Sequence, residues 1–85
     1  MSGVIATFKV MPASADVDLD MLEAKVKESV AADQIRREPI AFGLVALIVA
    51  KMMPDEAGFI DKMEELLRGV EGVGEVETLE VTKAL

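Results

Sequence analysis

From Val4 to Met11 (VIATFKVM) the chain alternates, with Val4, Ala6, Phe8 and Val10 on one side and Ile5, Thr7, Lys9 and Met11 on the other. A period of two with this β-branched content predicts a strand, closed by Pro12. Residues 13–16 are a polar connection. Asp16 or Asp18 then caps a helix whose first turn gathers acidic residues, where the helix dipole favours them. Leu19, Leu22, Val26 and Val30 recur at spacings of three, four and four, which makes one apolar stripe. Glu23 and Lys27, four apart with the acid first, are placed for a surface ion pair.

Residues 31–38 are polar and contain Arg36 and Arg37. The segment from Ile35 to Phe42 is expected to hold a short second strand, which Pro39 restricts to an edge position or to its first residues. Gly43 to Lys51 (GLVALIVAK) is a continuous apolar run, the mark of a strand in the middle of a sheet with both faces covered or nearly so. Met52 to Gly58 reads as a loop carrying Pro54. A second helix from about Gly58 to Arg68 presents Ile60, Met63, Leu67 and Val70 as its buried stripe and pairs Glu64 with Arg68. A glycine-bearing turn leads into a last strand, Glu75 to Thr82, in which Val76, Leu79 and Val81 do not share one phase. A bulge or an exposed apolar residue would resolve that mismatch.

The order β-α-β-β-α-β within 85 residues is the split βαβ, or ferredoxin-like, pattern. The expectation is a single α+β domain over residues 1–85: a two-layer sandwich with a four-stranded antiparallel sheet. Both helices lie on one face, because each offers a single apolar stripe. The opposite face is left free to bind. The architecture itself does not say what.

Composition narrows the chemistry. The chain has no cysteine and no histidine, so it lacks a thiolate nucleophile, the commonest general base and the commonest transition-metal ligands. Sixteen acidic against nine basic residues give a formal charge of −7, which disfavours phosphate backbones. With three phenylalanines and neither tryptophan nor tyrosine, platforms for stacking bases are missing too. The longest apolar run, Ile40 to Ala50, is eleven residues and too short to cross a bilayer as a helix. Nothing resembles a signal peptide. These features point to a cytoplasmic domain that binds another protein, with no metal, no cofactor, no direct nucleic-acid contact and no membrane contact.

Two segments stand out. In Pro39 to Gly43 (PIAFG) a proline and a glycine bracket Phe42, either as a tight turn that buries the ring or as a turn that projects it as an anchor for a partner's pocket. On physical grounds alone the buried ring is the more ordinary outcome. After the last strand, Lys83-Ala84-Leu85 carries one positive charge in an acidic chain, either as a solvated tail or as a short cationic probe. Asp16, Asp18 and Asp20 superficially suggest a calcium loop. They lack its glycine and its bidentate glutamate, and capping explains them better. Gly69, Gly72 and Gly74 are too widely set for a phosphate loop.

The stretches VIATFKVMP, EPIAFGLVAL and VEGVGEVETLEVTKAL resemble archaeal elongation factor 1-beta, a family of guanine-nucleotide exchange factors for elongation factor 1-alpha, and the resemblance covers essentially the whole chain. Glu38 to Leu44 is its strongest part, standing where eukaryotic members carry a glycine-phenylalanine-glycine-isoleucine segment. The resemblance implies a ferredoxin-like fold; the free chain is expected to be a monomer. The resemblance also implies a GTPase partner gripped across its nucleotide domain and a neighbouring β-barrel. Phe42 and Gly43 would contact that partner, with Lys83 directed at its Mg2+ and phosphate region and Leu85 beside it. Two residues follow the lysine where the eukaryotic tail has one, and Val45 stands where many relatives carry a lysine. A small-molecule-sensing regulatory domain on the same fold is the competing reading.

Overall fold

A computed structural model describes residues 3–84 of the chain. Its elements run β1 (Gly3–Pro12), α1 (Leu19–Val30), β2 (Gln34–Pro39), a short 3-10 turn (Ala41–Gly43), β3 (Val45–Pro54), α2 (Phe59–Arg68) and β4 (Val73–Ala84). The four strands form one sheet in the order β2-β3-β1-β4, with every neighbouring pair antiparallel. This is the expected ferredoxin-like arrangement. The alternation of β1 holds: Val4, Ala6, Phe8 and Val10 are buried, facing the helices with Leu47, Val49, Met53 and Val76.

Each helix covers the sheet through the stripe read from its spacing. In α1, Leu22, Val26 and Val30 are buried and Leu19 packs at their margin. Asp18 provides the cap, its carboxylate accepting from the backbone N–H groups of Asp20 and Met21 at 3.0 and 3.3 Å. In α2 only Leu67 is fully buried, with Phe59, Ile60, Met63 and Val70 packed around it. The Glu64–Arg68 pair forms at 3.4 Å, and Glu64 also accepts from the Thr78 hydroxyl of β4. Glu23 does not partner Lys27. It binds Arg37, reaching over from edge strand β2, at 3.0 Å, and Asp20 binds the same guanidinium at 2.6 Å. The hydrogen bonds that Arg37 donates to Asp20 and then to Glu23 raise its pKa above the ordinary value. A cross-element partner with two carboxylates has displaced the local pair.

β2 is the short edge strand foreseen, and it ends at Pro39, the residue expected to restrict it. β3 and β4 run further than expected, for one reason: a ladder continues as long as its neighbour does. β3 begins at Val45 and runs on through Met52 and Met53, which were expected in a loop, because β1 starts at Gly3 and pairs with Pro54. Met53 is buried against the helices and Met52 is exposed on the other face. β4 likewise runs past Glu75–Thr82 in both directions. Its phase problem is resolved by a bulge. Thr7 pairs with Glu80 and Phe8 with Thr78, so Leu79 is the extra residue, and it is exposed. A second irregularity skips Gly74, where an added Cβ would come within 2.9 Å of the Ala13 Cα.

On the helix-free face Ile48 is still only 4% exposed. It is flanked in register by Lys9 and Arg36, whose long aliphatic stems can shield it. The expectation that β3 is covered on nearly both faces is met in this way, without a second helix layer.

Candidate functional site

The hairpin joining β2 to β3 is closed by two backbone bonds, Ile40 N–H to the Leu44 carbonyl at 2.8 Å and Leu44 N–H to the Ala41 carbonyl at 3.3 Å. Between them Phe42 takes φ 63°, ψ 31° and Gly43 takes φ 75°. Two consecutive left-handed residues bridged by an i to i+3 bond make a type I′ turn, whose twist matches that of the flanking strands. Glycine is at home in this conformation. Phenylalanine is not, since its Cβ crowds the backbone there. The ring gains no burial in return, because Phe42 is 95% exposed. Of the two outcomes left open by the sequence, the projecting ring is the one found. Gly43 has open space around its missing Cβ, so its selection lies in the backbone conformation.

Lys83 lies near the end of β4, opposite Val4 in the ladder and therefore on the helix-covered face. Its side chain is 77% exposed, and its ammonium stands 3.9 Å from the carboxylate of Asp55, which is 47% exposed. Asp55 follows β3 directly and was not singled out by its sequence context; no local pattern ties it to a residue on β4. Leu85 lies outside the described residues.

The structure does not bring Phe42 and Lys83 together. Pairings of Pro39 with Val45 and of Pro12 with Val73 put the Phe42 turn at one pole of the sheet. Pairings of Gly3 with Pro54 and Ala84 put Lys83 at the other. The ten residues of β3 separate the poles, a span of about 30 Å at the usual rise per residue.

Enclosed chemistry is scarce between them. Among the described residues no polar or charged side chain is buried, and no three acidic residues gather as a metal cage. A hollow of about 140 Å3 lies between Lys9, Met11, Ile40, Glu75 and Glu77, and another of about 240 Å3 between Ala57, Gly58, Phe59 and Lys62. Both fall below the roughly 300 Å3 at which pockets for small ligands begin. No helix among the described residues is long and apolar enough to cross a membrane.

The surface thus belongs to a ferredoxin-like domain whose distinctive features are an exposed aromatic turn and a cationic strand end, both suited to contact with another macromolecule. Comparison with known proteins makes the class specific. Residues 5–84 match the EF-1 guanine nucleotide exchange domain. The chain is 45% identical over 82 residues to elongation factor 1-beta of Methanoculleus marisnigri, covering 96% of this chain and 98% of that one. It is 43% identical over 89 residues to elongation factor 1-beta of Methanothermobacter thermautotrophicus, across the full length of both. With the Thermococcus gammatolerans factor of the same name the identity is 46% over 83 residues, covering 89% and 91%. The chain belongs to the EF-1 guanine nucleotide exchange domain family, of the archaeal elongation factor 1-beta type, as its resemblance led us to expect.

Proposed function

We propose that this chain, acting as one domain over residues 1–85, accelerates replacement of GDP by GTP on elongation factor 1-alpha by holding the GTPase at two separated places. The Phe42 ring, set out by the turn and by Gly43, anchors in an apolar pocket of the partner. Lys83, with Leu85 beyond it, reaches the Mg2+ and phosphate region of the nucleotide site. An ammonium placed there competes with the metal for the same anionic ligands and weakens the grip on GDP. Lysine suits the task as a compact charge on a flexible stem. No covalent bond changes. The factor binds the nucleotide-free state more tightly than the loaded one and shifts the population accordingly. The free chain is a cytoplasmic monomer in this reading, with no cofactor and no nucleic-acid contact of its own.

The observation that carries the proposal is Phe42 itself: a large apolar side chain held outside the fold in a conformation that phenylalanine disfavours. The test follows release of a fluorescent GDP from elongation factor 1-alpha. The wild type should accelerate it, and Phe42→Ala and Lys83→Ala should each remove most of the acceleration. An unchanged off-rate with the wild type defeats the exchange function. Full activity of Lys83→Ala defeats the role of the lysine alone.

A further inference from the structure

The Lys83–Asp55 contact joins residues that are not on neighbouring strands. Asp55 follows β3, Lys83 is on β4, and both strands flank β1. Two strand spacings put their axes about 10 Å apart. To meet the carboxylate, the lysine therefore leans inward across the start of β1, away from the free outer edge of β4. Asp55 sits on a fixed base, since the Glu56 N–H donates to the Pro54 carbonyl at 2.9 Å and closes the chain tightly behind β3.

We propose that Asp55 is a positioning residue acting as a brake on Lys83. It parks the ammonium over the helix-covered face of the free chain and must be left behind when the lysine engages a partner. This inference rests on the exchange reading above. A carboxylate that travelled with the lysine would carry a negative charge towards phosphates and cancel the cation's effect, so the productive state is the one with the pair broken. The pair is exposed and long, which limits its effect on the available population to about fivefold.

The test uses Asp55→Asn in the intact chain, assayed for GDP release at low, sub-saturating factor. Release should quicken about two- to fivefold at low ionic strength, with the gain fading as salt is raised. The maximal rate at saturating factor should barely change. Glu56→Gln makes the same change in net charge one residue away and should give no comparable gain. In a Lys83→Met background Asp55→Asn should do nothing. Independently of any GTPase, NMR relaxation of the Lys83 ammonium should show more motion in Asp55→Asn than in the wild type. A wild type that fails to accelerate release overturns both readings. If it accelerates and Asp55→Asn gives no gain at low salt, or Glu56→Gln gives an equal one, the brake alone is overturned. An ammonium whose mobility Asp55→Asn leaves unchanged also overturns it.

Discussion

Replacing Phe42 by asparagine should make the fold more stable and the factor less active. The magnitudes follow from the turn. A residue with a Cβ in the left-handed region is disfavoured by about 1–2 kcal/mol, and asparagine, the preferred residue at this position of a type I′ turn, escapes much of that. Little is lost in exchange. A phenylalanine side chain buries on the order of 200 Å2 when enclosed, and at 95% exposure roughly 10 Å2 of contact remains. At about 25 cal/mol per Å2 that is about 0.25 kcal/mol. Asparagine also avoids the extra unfolded-state freedom that glycine would bring, about 0.5–1 kcal/mol. The net expectation is a gain of about 0.5–1 kcal/mol, which for a domain of this size raises Tm by roughly 2–8 °C.

The assay is thermal or urea unfolding of the free chain beside GDP release from the GTPase. The reasoning predicts opposite signs in the two measurements. If Phe42→Asn lowered stability by about 1 kcal/mol or more, the ring would have to make native contacts that the exposed turn does not contain. If activity survived intact, the strain would have no function to explain it.

Leu67 is the one fully buried residue of α2, so Leu67→Ala should cost about 2–5 kcal/mol, a large part of what an 85-residue domain possesses, as read by the midpoint of urea unfolding. Asp18→Ala removes the acceptor for two free N–H groups of α1 and should cost about 1 kcal/mol in the same measurement, with the core intact by NMR. Deleting Leu79 should be tolerated with a loss under about 1 kcal/mol. Thr78 and Glu80 would then follow each other in a regular ladder, keeping Val81 beside Ala6, which cross-strand NOEs can check.

Much of this molecule was readable before folding because its periodicities are local. The four-residue rhythm of α1 and the alternation of β1 each identify a buried face without reference to anything distant. The extent of β3 was hidden, because Met52, Met53 and Pro54 form a loop or a strand according to whether β1 reaches them. The bulge at Leu79 left a trace as a broken phase, and that trace was legible. Exposure of Phe42 was not. It depends on one positive φ, which leaves no periodic signature, and hydrophobicity argues for the opposite outcome. The distance between Phe42 and Lys83, and the meeting of Lys83 with Asp55, depend on strand order, which emerges only when the sheet is assembled.

That strand order sets a geometric condition on the proposed exchange mechanism. β4 is antiparallel to β1, so it ends where β1 begins, whereas the β2–β3 turn sits where β1 ends. In this topology the Phe42 turn and the end of β4 are obliged to lie at opposite poles, joined by a hydrogen-bonded sheet. A partner engaged at both must span a fixed separation of about 30 Å. If Phe42 anchors as proposed, Lys83 is confined to a small volume, and a weak, exposed charge would act at a high effective concentration. A rigid ruler of this sort needs no catalytic groups of its own, since the nucleotide it would dislodge is held by someone else's pocket.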